Sequence, residues 1–177
     1  MRDYRRPDGT QRSWNWIDPV AGDIIYANNP YWIAYENYNN DDTQRLYGNV
    51  SLTYAFTEAL SLEGSVRNDY YTTRRQERVA IGSVEQPEYV EDVREVRETN
   101  GSLELNYEGE LSEGVSLQAI GGASYRNRTY DQNTGETQGG LSTPDLYTLQ
   151  NSISRPEIED YFEEVGINIE YVEFQSG

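Results

Sequence analysis

The chain has 177 residues with neither cysteine nor histidine, which excludes disulfides, thiolate or imidazole metal sites and histidine-based catalysis. Acidic residues outnumber basic ones 31 to 14, a net charge of −17, so little is present to neutralise phosphates and nucleic acid is not expected as a partner. Mean hydropathy is −0.86 and no apolar run approaches a transmembrane helix, but a transmembrane β-barrel stays open because only alternate strand residues need be apolar.

Residues 1–45 read as a loop-rich aromatic segment. Pro7-Asp8-Gly9 is a turn signal, and Trp14, Trp16, Tyr31 and Trp32 cluster around Asp18-Pro19 and Asn28-Asn29-Pro30. These aromatics are the candidate substrate-contacting residues, able to stack on sugar or peptide, although packing against a sheet wall is the favoured use. MRDYRRPDG lacks the apolar core of a signal peptide, so Met1 is not expected to be the true start of a secreted protein.

Residues 46–70, LYGNVSLTYAFTEALSLEGSVRNDY, alternate with a period of two. Leu46, Val50, Leu52, Tyr54 and Phe56, then Leu60, Leu62, Val66 and Tyr70, share one face. Tyr47, Asn49, Ser51, Thr53, Ser61, Glu63, Ser65, Arg67 and Asp69 share the other. Thr57-Glu58-Ala59 interrupts without a change of phase, as a hairpin turn does, and sets Leu52 opposite Gly64. A strand from Leu46 to Phe56, tilted as in a barrel, climbs ~28 Å, enough for the apolar band of an outer membrane. Tyr54 and Phe56 at one end and Tyr70 at the other supply the aromatic girdles.

Residues 71–98, dense in Arg and Glu, read as a solvated external loop with room for a short ribbon. Residues 99–127 form a second hairpin of opposite parity: Leu103, Leu105, Tyr107 and Leu111 turn at Ser112-Glu113-Gly114 into Val115, Leu117, Ala119 and Tyr125. Its register places Gly101 opposite Tyr125, whose ring would cover the glycine. No charge falls on the apolar face of either hairpin, where a mid-membrane Arg or Lys would cost about 2–4 kcal/mol. The expected lipid-facing residues are therefore Leu52, Val66, Leu105 and Leu117, and the expected lumen-facing ones Ser51, Ser65, Glu104 and Gln118. Residues 128–160 read as a second external loop; Asp131, Asn133 and Gly135 lack the closing glutamate of a calcium loop. Residues 161–177 read as an incomplete strand, because Glu170 shares a face with Val172 and Ile169 with Glu173.

The segments GTQRSWN (9–15), NPYWIAYENYNND (29–41), RLYGNVSLTYAFTEALSLEG (45–64) and GGLSTPDLYTLQNS (139–152), in this order and spacing, resemble the SusC/RagA-like TonB-linked outer-membrane transporters over most of the chain. The resemblance implies an all-β fold, an antiparallel meander of long hairpins forming an open segment of a large transmembrane β-barrel of roughly 22 strands around a plug. It implies the outer membrane of a Gram-negative bacterium and import of oligosaccharides or peptides. The implied partners are a SusD-like surface lipoprotein and the TonB complex, engaged through the full-length protein. Four or five strands cannot close a barrel, so this piece is not expected to transport anything by itself.

Two other classes carry weight. A secreted glycan-binding β-sandwich would use Trp14, Trp16 and Trp32 as platforms. A carboxylate glycosidase would draw on Glu104, Glu108 and Glu110, but these form a ladder along one strand face, with none marked as a buried acid beside an ionised partner. No enzyme activity and no cofactor are expected.

Overall fold

A computed structural model describes residues 3–176 apart from Trp14, Pro19, Ala21, Gly22, Ile25, Tyr26 and Glu113. The main element is a single five-stranded sheet of order β3-β4-β5-β6-β7: β3 Asn40–Ala55, β4 Leu60–Val79, β5 Glu88–Ser112, β6 Val115–Leu141 and β7 Ser152–Ser176. It is an all-β antiparallel sheet of long strands, as the alternation predicts. Before it come two short paired strands, β1 Trp16–Asp18 and β2 Asp23–Ile24, and one short helix, α1 Pro30–Tyr35. Asn29 caps this helix by accepting the Tyr31 N–H at 2.9 Å, and Pro30 opens its first turn, where a missing N–H costs nothing.

The strands run well past the expected hairpins. The stretch 71–98, read as loop, is strand up to Val79 and again from Glu88, with only a short turn between. The stretch 128–160 is strand up to Leu141 and from Ser152. The expected incomplete strand at 161–177 lies within a β7 of 25 residues. The reason for these differences is shared: cross-strand pairs such as Arg74 with Glu91 (2.9 Å) and Gln132 with Asp92 (2.8 Å) hold ladders that carry no apolar alternation.

Two compact units make up the chain. The first comprises Met1–Thr43, Thr73–Arg94 and Gln132–Asp160. Its core is Trp32, Ala80, Tyr89 and Leu141, set among buried polar side chains including Gln11, Asn28, Asn29, Asp92, Thr137 and Asn151. The Asn28 side-chain oxygen accepts from Gln11 Nε2 and from the Val84 N–H, each at 2.8 Å, and Gln11 Nε2 also donates to the Gly82 carbonyl at 2.6 Å. Gly82, at φ +102°, lies against the Trp32 ring, a backbone conformation that a side chain would strain. Asn151 holds the turn after β6 by accepting the Thr143 N–H and donating to the carbonyls of Thr143 and Leu146.

The second unit comprises Gln44–Thr72, Glu95–Asp131 and Tyr161–Gly177. Its first hairpin closes where the Phe56 N–H meets the Leu60 carbonyl at 2.9 Å, while the Thr57 hydroxyl accepts from the N–H groups of Ala59 and Leu60. Counting outward from that bond keeps Leu52 opposite Gly64. The second hairpin turns tightly between Ser112 and Val115 through Gly114 at φ +82°. Val96 is the one buried hydrophobic residue among the described residues of this unit.

Candidate functional site

The candidate site is the pair of faces that the second unit presents. One face carries the apolar set. Leu52 is 75% exposed, Val66 57% and Leu105 44%; Leu117 is half-buried. Leu46, Val50, Tyr54, Phe56 and Leu103 join them, all exposed. Water is a poor neighbour for so much contiguous apolar surface, since soluble monomers rarely expose more than a few hundred Å² of it in one patch. Near one margin the Arg97 guanidinium lies over the Tyr70 ring at 5.4 Å, and Asn68 donates to the Thr99 hydroxyl at 2.8 Å.

The opposite face is polar. Ser65 and Ser102 share a hydrogen bond at 2.8 Å, Arg126 donates to Glu98 at 2.7 Å, and Glu104 accepts the Tyr171 hydroxyl at 2.5 Å. Ser51 and Gln118 are exposed; Ser65 and Glu104 are half-buried. To reach Glu104, the Tyr171 ring crosses Gly122, where any Cβ would collide with it at 2.7 Å. An aromatic ring thus covers a strand glycine, but at a different pair from the expected one. Gly101 has only the Ser65 backbone near it, not Tyr125.

These contacts also fix how β7 is turned. Tyr171 meets Glu104 and Gly122 on the polar face, and Tyr161 packs edge-on against Tyr130 with centroids 5.9 Å apart. Asn127, on the apolar side of β6, donates to Glu164 at 2.9 Å. With side chains alternating, Val165, Ile167 and Ile169 therefore belong to the polar face, and Glu164 and Glu170 to the apolar one. The apolar face is free of charge across 46–70 and 99–127, and β7 does not continue it.

Of the candidate stacking aromatics, Trp14 and the side chain of Trp16 lie outside what is described. Tyr31 is 38% exposed. Trp32 does not face a ligand: it is 1% exposed, Tyr4 packs on it edge-on, and its indole N–H donates to Ser83 at 2.9 Å. Sequence reasoning had the signal that separates Trp32 from its neighbours, because Asn29-Pro30 starts a helix whose inner face it occupies. A contact it had no means to find is Arg78, whose guanidinium lies between the rings of Tyr38 (3.9 Å) and Tyr147 (4.8 Å).

Titratable groups of the first unit are tuned by their neighbours. Burial raises Glu88 above the usual carboxyl range, and its hydrogen bond to Glu136 and the nearby Glu77 add to this. Burial works the same way on Glu91, but hydrogen bonds from Arg74 and Tyr89 outweigh it and leave Glu91 below the usual range. Among the described residues no cluster of three or more His, Cys, Asp or Glu could hold a metal ion. Glu104 is taken up by Tyr171, while Glu108 and Glu110 are exposed. Among the described residues no helix is long and apolar enough to cross a membrane, which says nothing about a β-barrel.

No protein-family profile matches the chain, and no curated protein matches it. Solved structures do. A chain of the RagAB peptide importer in its "open-open" state superposes with a TM-score of 0.69 at 18% identity, and one in the "closed-closed" state with 0.70 at 17%. Each match covers 95% of this chain and 20% of the other. The chain thus spans about a fifth of the length of the chains it matches. At this identity the likeness shows the fold alone: the long-stranded antiparallel sheet of this protein is similar to part of that importer's chain.

Proposed function

We propose that this chain is a wall segment of a SusC/RagA-like, TonB-linked transporter of the outer membrane, a barrel that takes up peptides or oligosaccharides. The observation that carries this reading is the exposed apolar face of β3 to β6, free of charge across both hairpins. Hydrocarbon suits such a face, and the opposite face, with Glu104, Arg67 and Arg126, requires water. The fold likeness to a peptide importer favours peptides as cargo. A SusD-like lipoprotein and the TonB complex are the partners, engaged through parts of a longer protein. Residues 71–98 and 128–160 form ribbons outside the membrane, and the outer edges of β3 and β7 pair with further strands of the barrel. A glycan-binding sandwich gains no support, since β3 is exposed along its whole length and Trp32 offers no stacking platform.

The test substitutes neighbours that point to opposite faces. Leu52→Arg should hinder assembly of the intact protein by about 2–4 kcal/mol, the cost of a guanidinium at mid-membrane. Ser51→Arg should assemble almost normally. Heat-modifiable mobility of the membrane-extracted protein reads the outcome. Loss for Ser51→Arg with retention for Leu52→Arg would reverse the faces, and indifference to both would remove the membrane.

A further inference from the structure

The polar face of the second unit holds a cleft of about 320 Å³. Its lining is out of character for this chain. It includes Arg67 and Arg126 and not one acidic residue, in a protein with 31 acidic and 14 basic residues. Arg126 is already engaged by Glu98. Arg67 is exposed, and its side chain has no ion pair, hydrogen bond or ring contact among the described residues. A guanidinium presents a planar fork of donors that matches a carboxylate with two parallel hydrogen bonds. The amides of Asn49 and Asn100 line the same cleft and can both donate and accept, as a peptide backbone requires, although Asn100 already donates to Glu98 at 3.0 Å. Opposite them stand Ile167 and Ile169, brought to this face by the orientation of β7. Aliphatic side chains left exposed on a hydrated face call for an apolar partner.

A cation, paired amides and an aliphatic wall describe one kind of ligand. We infer that this cleft binds an extended peptide segment through a carboxylate received by Arg67, with a neighbouring aliphatic side chain lying on Ile167 and Ile169. The inference rests on the reading of this face as aqueous. The occupant is a free peptide taken up by the transporter.

The experiment uses the intact protein extracted from outer membranes in detergent, with assembly checked by heat-modifiable mobility. Fluorescence anisotropy compares a labelled, end-blocked peptide of sequence Ala-Ile-Glu-Ile-Ala with its Gln counterpart. The Glu peptide should bind about tenfold more tightly, the scale of a charge-assisted hydrogen-bond pair. Arg67→Gln should erase that preference, Arg67→Lys should restore part of it, and Arg75→Gln, in the first unit, should leave it intact. Failure of both peptides to bind an assembled protein overturns the assignment. Equal affinity for the two peptides in an assembled protein, or a preference that survives Arg67→Gln, overturns the cleft assignment alone. Competition by laurate at the same concentration as the Glu peptide would make the occupant a lipid acid and overturn it too. A protein that never assembles in membranes removes the reading beneath it.

Discussion

The two units of this chain solve the same problem in opposite ways. The first buries Trp32 and Tyr89 to 1% exposure and surrounds them with hydrogen-bonded amides and hydroxyls drawn from distant parts of the sequence. The second has Val96 as its buried hydrophobic among the described residues, and leaves Leu46, Val50, Leu52, Val66, Leu103 and Leu105 exposed. A sheet that buried no apolar face would have little to offset the chain entropy lost on folding. Hence the first unit carries its own interior, whereas the second draws its stability from what covers it. Under the proposed function that cover is lipid on one side and further barrel strands at the edges.

The sharpest way to break this contrast is Trp32→Ala. Deleting a buried indole costs about 3–5 kcal/mol. Amide exchange should accelerate around 28–37 and 80–85, the segments joined through Trp32, Asn28 and Ser83, and stay unchanged at the hairpin turn 56–60. Equal loss of protection in both places would show that the units do not hold themselves separately.

A smaller effect belongs to Asn28→Ala. It deprives the Val84 N–H of its acceptor and leaves Gln11 Nε2 with the Gly82 carbonyl alone, a loss of about 0.5–1.5 kcal/mol for each hydrogen bond removed. Exchange at Val84 should rise more than at Tyr89, whose N–H keeps its bond to the Thr137 hydroxyl at 2.9 Å.

The smallest expected effect is one of pH. Glu88 holds its proton more tightly in the folded chain than in the unfolded one, because of burial first and then Glu136. Stability from this group is therefore greatest below the ordinary carboxyl range and declines as pH rises through the raised pKa. Glu91 acts in the opposite sense, its contribution being present above the ordinary range and lost as pH falls. Glu88→Gln should stabilise the first unit near neutral pH and leave the loss on the acid side, which follows Glu91. Exchange measured on both sides of the carboxyl range separates the two.

How much of this was legible depended on which interactions build each part. The two hairpins were readable because one face of β3 to β6 is apolar, so the period of two is written in hydrophobicity. The extensions of β4, β5 and β6 were not, because pairs such as Arg74 with Glu91 and Gln132 with Asp92 make a ladder that looks, residue by residue, like a polar loop. The full length of β7 was hidden for a related reason. With Glu170 beside Val172 on one face and Ile169 beside Glu173 on the other, neither face reads as apolar, yet the strand continues. The interior of the first unit was the least legible, since bonds such as Gln11 to Gly82 and Trp32 to Ser83 join residues far apart in the chain and depend on the tertiary fold. The candidate faces could be listed from parity alone; that β7 reverses that parity required its contacts.

The account's central claim is that alternate residues of the second unit meet hydrocarbon and water. These 177 residues contain no cysteine, so a single cysteine introduced among them carries the only spin label in this segment. Labels at Leu52, Val66, Leu105 and Leu117 in the intact, membrane-assembled protein should collide freely with dissolved oxygen and be shielded from a water-soluble nickel chelate. Labels at Ser51, Ser65, Glu104 and Gln118 should show the reverse, a two-residue oscillation along each strand. Equal access of the nickel chelate to both sets would place water on both faces and contradict the claim.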